Sequence, residues 1–318
     1  MLSAIHGRFC SIAAIAAMLA CTLDIDPARA ENPWGAEYFP NVVLTTQDGT
    51  RVRLYDDLLK GKSVAVNVIF TECRDACPLE TAKLRELQRI LGDRVGKDIF
   101  FYSISIDPTH DTPDVLKAYA KKFDVGPGWQ FLTGTPEDIK LVTKKLGLSG
   151  ARDTATREGH SATLMVGNEP TGQWMKNSST DNPRFLAATL ATFFGWKDTQ
   201  PRRNYTEARP LEISNGQFLF QNGCSACHTI GEGDKIGPDL LGITERRQRD
   251  WLMKYILVPD EMIATGDPVA TALLKKYKDV RMPNLGLARD EVADVLTYVE
   301  ERSSLLRKKA RTVAPLQP

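Results

Sequence analysis

The sequence predicts two folded units in one chain: an α/β domain over residues 31–196 and a small all-α domain over residues 211–305. Three observations carry this. Residues 64–70 (VAVNVIF) and 99–106 (IFFYSISI) are continuous apolar runs, as strands buried on both faces read. Helical patterns opened by prolines alternate with them, which implies crossover connections in a sheet. Beyond residue 210 helical patterns recur with no strand signal between them.

In the first unit Pro78 opens a helix with Leu79, Ala82, Leu87, Ile90 and Leu91 on its apolar side. Thr112-Pro113 starts a second helix to about Phe123, and Pro136 a third to about Leu146. Residues 161–166 and 172–176 read as closing strands, and Pro183 starts a last helix to about Phe194. Residues 197–210 (KDTQPRRNYTEARP) are polar with two prolines and read as a linker. Such a short polar tether gives the two units a mutual effective concentration on the order of mM without a docking surface. In the second unit the helix candidates are residues 212–221, 244–257 and 289–303, and residues 306–318 read as a basic tail.

The N-terminus has the layout of a secretory signal. Arg8 precedes the apolar run 12–23, and Ala28-Arg29-Ala30 offers a cleavage site, so residues 1–30 are expected to leave on export to the periplasm. About twelve apolar residues fall short of the roughly 20 a spanning helix needs. Leu19-Ala20-Cys21 leaves a lipid tether through Cys21 open, and no later segment reads as a membrane span. The chain of 318 residues is 42% hydrophobic and 25% charged with net charge +1, which excludes a disordered chain. Residues 31–200 hold 21 basic against 22 acidic side chains, and residues 201–318 hold 18 against 16. Neither half is the basic body of a nucleic-acid binder.

Cysteine and histidine placement carries the chemistry. Cys224-Ser225-Ala226-Cys227-His228 is C-x-x-C-H, the attachment sequence of a covalent c-type haem. Two thiols three positions apart can add to the two vinyl groups of one haem, and the adjacent imidazole can reach the iron. A zinc site would want a second ligand pair, and the second unit has no other Cys or His.

Gly216 and Phe220 before this motif, Ile236-Gly237-Pro238 after it and a closing helix make residues 212–303 resemble a class I, mono-haem cytochrome c. The resemblance implies one haem c with a methionine as second axial ligand, from a loop before the final helix. Met282, in Arg281-Met282-Pro283, is the favoured candidate. Met262 stays open, and Met253 reads as core of a helix. His/Met ligation makes iron an electron carrier, so a redox partner for the haem is expected.

Cys73 and Cys77 are four positions apart where a buried strand passes into the Pro78 helix, so their sulfurs can converge. The helix start is expected to lower the thiol pKa values. Thiolates are soft ligands, and a dithiolate with one imidazole suits copper. His6 leaves with the signal and His228 belongs to the haem. That leaves His110, in a polar turn, and His160, just before a strand, with His160 favoured.

Cys73-x-x-x-Cys77-Pro78, Ser105-Ile106-Asp107-Pro108 with Asp111-Thr112-Pro113, and Gly159-His160-Ser161 together resemble the SCO/SenC family over residues 38–196. That resemblance implies a thioredoxin-like fold, one copper ion on Cys73, Cys77 and His160, and delivery of copper to the dinuclear CuA centre of cytochrome c oxidase. Many members carry a membrane helix that this chain lacks, and the fused cytochrome is an addition. A second function stays open: thiol–disulfide exchange by Cys73 and Cys77 on a partner protein, with electrons relayed by the haem.

Overall fold

The computed structural model describes residues 33–73, 76–149, 162–197 and 212–313, without the side chains of residues 311 and 313. The export signal, Cys21, His160 and most of the linker lie outside these residues. Seven strands form one mixed sheet: β1 (Val43–Thr46), β2 (Arg51–Arg53), β3 (Ser63–Ile69), β4 (Phe100–Ser105), β5 (Trp129–Thr133), β6 (Thr163–Asn168) and β7 (Gln173–Ser178). Their order is β2-β1-β5-β4-β3-β6-β7. β3, β4 and β5 are parallel, while β6 and β7 on one side and β1 and β2 on the other run antiparallel.

The helices of this half are α1 (Ala76–Leu91), α2 (Pro113–Lys122), α3 (Pro136–Lys145) and α4 (Pro183–Phe193). They explain why β3 lacks polar alternation. Ala65 and Ile69 face a core shared with Leu84 and Leu87 of α1, Leu116 of α2 and Leu186 of α4. Val64, Val66 and Val68 face the other core, with Ile139 and Val142 of α3. Successive side chains of a strand point to opposite faces, so a strand covered on both sides is apolar throughout. Proline stands in the first turn of α2, α3 and α4, where the missing N–H costs nothing, and Thr112, Thr135 and Asn182 cap them.

The second half is all-α: α5 (Asn215–Leu219), α6 (Ile243–Arg246), α7 (Arg249–Leu257), α8 (Pro259–Ala264), α9 (Pro268–Lys276) and α10 (Arg289–Val313), with a π-helical turn at Phe220–Cys224. α10 continues past residue 305, so the first part of the expected basic tail is helical. α5 crosses α10 at Gly216, where an added Cβ would lie 2.0 Å from the Asp294 carbonyl oxygen. Phe220 packs there on Val295 and Val299. The linker does not leave the halves merely tethered. Ala226 belongs to the same apolar cluster as Cys73, Cys77 and Leu84, and Cys227, Ile236 and Val280 pack against it. Among the described residues no helix is long and apolar enough to cross a membrane.

Candidate functional site

β3 ends at Ile69 and the chain turns through Phe70 to Cys73 before α1 begins, placing Cys73 and Cys77 across the first turn. Both are present as thiols; Cys73 is 8% exposed and Cys77 fully buried. The Cys77 N–H points at Cys73 Sγ, 3.5 Å away, so the helix start is satisfied by the first sulfur. The expected fall in thiol pKa is not seen at Cys77. The hydrogen bond to Cys73, burial and the neighbouring sulfur's charge all push it up. Proximity of two sulfurs in an apolar wall outweighs the helix dipole.

The turn carrying Cys73 is held by the loop that follows β4. Asp111 is fully buried and accepts from the Thr71 N–H at 3.2 Å, from Thr71 Oγ1 at 2.5 Å and from Ser105 Oγ at 2.5 Å. Ser105 Oγ in turn accepts from the Asp107 N–H at 3.0 Å. The stretch from Ser105 to Asp111 is therefore a clasp on the dithiol loop. In the sequence this stretch shows only the family resemblance, since its hydrogen-bond partner Thr71 lies about forty residues away. His110 beside it is 43% exposed and stands 3.6 Å from Glu72. Beneath the site, Glu80 of α1 is fully buried and accepts from Ser179 Oγ at 2.7 Å. Burial lifts its carboxyl to about 7, against hydrogen bonds from Ser179 and Asn67 that lower it. Among the described residues no cluster of three or more His, Cys, Asp or Glu is arranged to hold a metal. The expected third ligand, His160, lies outside them.

The second site is local. The N–H groups of Cys227 and His228 both donate to the Cys224 carbonyl, at 3.1 and 2.9 Å, which winds C-x-x-C-H into one turn. His228 Nδ1 is 2.9 Å from the Pro238 carbonyl. A carbonyl only accepts, so Nδ1 carries the proton and Nε2 is left as the lone-pair nitrogen. Burial lowers the His228 pKa and favours that neutral ring. Gly237 lies against the imidazole, where an added Cβ would be 2.7 Å from Cε1. The loop bearing Gly237 and Pro238 is organised by Asp239, which accepts from the N–H groups of Gly231, Gly233 and Leu241 and from Thr229 Oγ1. Burial raises its carboxyl, but these hydrogen bonds win and hold it at about 2. Asp239 was not singled out from the sequence, because its partners are backbone groups brought round by the loop.

Cys224, His228 and Met282 line a cavity of about 630 Å³ walled by Leu252, Ile256 and Val295. Cys227, Gly237 and Met282 line an adjoining recess, together with Leu79 from α1. Size, apolar walls and donor set fit a haem. Met262 is buried and borders neither space, and Met253 packs with Trp251 and Ile256 as expected of core.

The geometry defines a sheet domain with a dithiol at the end of a buried strand, joined to a c-type cytochrome. The family model described as SCO1/SenC matches residues 33–194, just over half of the chain, and that described as Cytochrome c matches residues 213–303. The chain belongs to the SCO1/SenC family, its sheet domain is thioredoxin-like, and it carries a cytochrome c domain behind it. An SCO2-like protein of Rickettsia felis is 42% identical over 96 residues, 30% of this chain and 45% of the relative. The SCO1 protein homolog of Bacillus subtilis is 38% identical over 107 residues, 33% of this chain and 53% of the relative. The matched stretch thus spans about half of these curated relatives. Among solved structures, a SCO1/SenC family lipoprotein from Bacillus anthracis is 26% identical with a TM-score of 0.41, covering 48% of this chain and 93% of that one. Bradyrhizobium japonicum ScoI, solved with copper bound, is 27% identical with a TM-score of 0.38, covering 48% of this chain and 96% of that one.

Proposed function

We propose that this is an exported, periplasmic copper-binding redox protein that delivers copper to the CuA site of a cytochrome c oxidase, and whose haem domain exchanges electrons with the copper–dithiol site. Cys73, Cys77 and His160 hold one copper ion. Cys224 and Cys227 attach one haem c, with His228 and Met282 as its axial ligands. The observation that carries the reading is the pair of adjacent thiols at the strand-to-helix turn, inside the stretch that matches SCO1/SenC. Soft sulfur ligands suit Cu(I), and an imidazole extends the set to Cu(II). Bound haem supplies a one-electron couple, which matches Cu(II)/Cu(I) better than a two-electron disulfide. The alternative, thiol–disulfide exchange on a partner, would have to start from Cys73, because Cys77 is fully buried.

The test is a copper titration of the reduced, haem-loaded protein, followed by both the haem and the thiolate-to-copper bands. One equivalent is expected to bind. His160→Ala is expected to weaken Cu(II) far more than Cu(I), and His110→Ala to do little. Ferrous protein mixed with Cu(II) should then show haem oxidation at a rate independent of protein concentration, lost in Cys73→Ser/Cys77→Ser. In the same samples Met282→Ala should lose the weak sulfur-to-iron band and Met262→Ala keep it. Equal oxidation in the double-serine variant, or a larger copper loss from His110 than from His160, would overturn the reading.

A further inference from the structure

Leu79, Lys83 and Glu86 stand at i, i+4 and i+7 along α1 and so form one stripe of the helix that begins at the dithiol. Leu79 and Glu86 are turned to the haem-attachment loop, and Lys83 borders it with its ammonium on the Thr180 carbonyl. Leu79 lines the recess that also holds Cys224, Cys227 and Met282. Lys83 and Glu86 border a polar cleft with Ser225 and Ala226. Glu86 receives the Lys235 ammonium at 3.0 Å, and Lys235 also donates to the Ser225 carbonyl at 3.1 Å, inside C-x-x-C-H. Arg89 fixes Glu86 from the other side through two hydrogen bonds of 3.0 and 2.7 Å. The Glu86 side chain is only 15% exposed, so solvent screens this pair less than an ordinary surface contact.

We infer that this stripe is a fixed electron-exchange joint: the Glu86–Lys235 pair seats the cytochrome domain on α1, and Leu79 bridges the haem cavity to Cys77. The inference rests on the function proposed above and specifies its route. Leu79 is joined to Cys77 by two residues of helix backbone, about 3 Å along the axis, and stands on a different face of the helix, turned to the haem cavity. Ala226 lies in the same apolar cluster as Cys73 and Cys77, and Cys227 packs against that cluster, so apolar packing runs from one half into the other beside the polar cleft. A tether alone would leave the halves to meet by diffusion at an effective concentration on the order of mM. A seated joint removes that search. With both groups bound, one electron would cross per copper, ferrous haem going to ferric as Cu(II) on the Cys73 and Cys77 thiolates goes to Cu(I), with no bond formed or broken and no proton moved.

The test uses the full-length, haem-loaded protein and two readings: the concentration-independent haem oxidation after Cu(II) has bound, and the rotational correlation times of backbone amides in the two halves without copper. Wild type is expected to tumble as one body. Lys235→Glu should give the halves separate correlation times and slow the first-order phase by about threefold to tenfold, the population change expected from loss of a partly buried ion pair. Adding Glu86→Lys should recover most of both readings. Leu79→Ala should slow the phase while the tumbling stays that of one body. Two-body tumbling in wild type, no change in either reading with Lys235→Glu, or a wild-type rate in Leu79→Ala would overturn the joint. Absence of a first-order phase in wild type that tumbles as one body would instead overturn the proposed electron exchange and leave the seating intact.

Discussion

The two cysteine pairs of this chain are built on opposite plans. Cys224 and Cys227 sit with His228 in a single turn closed by hydrogen bonds to one carbonyl, and the loop after it supplies Gly237 and Pro238 against the ring. Cys73 and Cys77 hang between a central strand and a helix, and their loop is clasped by Asp111 from a separate segment. A prosthetic group attached covalently needs a short local signature that fits before or after folding. Under the function proposed above, a metal cargo that is taken up and released is served by two thiols whose loop is shaped by a distant group. The cytochrome half should therefore fail by losing helix packing, and the dithiol half by losing the support of distant polar groups.

The largest expected effect tests the first half of that contrast. Gly216→Ala would drive a Cβ into the Asp294 carbonyl, and neither backbone can give without separating α5 from α10. Overpacking costs about 1–3 kcal/mol and occasionally more, and with backbone as the clashing partner the cost should exceed about 3 kcal/mol, so the Soret-monitored melt should fall by roughly ten degrees or more. The sheet domain should melt as before. A parallel fall in both halves would show that the two are one cooperative unit.

Next in size is a pH effect confined to the dithiol half. Burial raises Glu80 from 4.5 to about 7, so the folded state prefers the protonated acid. Its contribution is fully present below about pH 4.5 and is lost as pH rises through 7. At 1.36 kcal/mol per pH unit the span is about 3 kcal/mol. Glu80→Gln keeps an acceptor for Ser179 without the charge and should flatten urea stability of the copper-free protein between pH 5 and 8, with its gain at pH 8. An unchanged pH slope would mean Glu80 is not the group responsible.

A smaller loss is expected from Asp111→Ala, because of its three donors the hydroxyls of Thr71 and Ser105 can rotate to other acceptors and only the Thr71 N–H is fixed. Unpaired buried donors cost about 1–3 kcal/mol. Copper affinity should fall with stability, while the haem spectrum stays that of wild type. Unaltered copper binding would show that the Cys73 loop holds its shape without the clasp.

Much of the fold was legible because the signals are local. The proline-started helices α2, α3 and α4 begin at Pro113, Pro136 and Pro183 as the sequence predicts, and β3 and β4 match their apolar runs within a residue or two. β1, β2 and β5 were not legible. β5 is five residues long after Gly126-Pro127-Gly128, and its strand character comes from pairing with β4 and β1. Helices α8 and α9 were missed although Pro259 and Pro268 stand in their first turns, because each is too short to show helical periodicity.

By itself the sequence determined the two halves, the C-x-x-C-H turn and the facing of two thiols across four positions, since each is a matter of spacing along a few residues of regular backbone. Tertiary structure alone decided the rest. It set the Cys77 thiol against Cys73 in a buried wall so that its pKa moves up and not down, made Asp111 a clasp, and laid the attachment loop against Leu79 and Glu86 of α1. Burial and long-range hydrogen bonds depend on which segments the fold sets side by side, and no spacing within one segment records that.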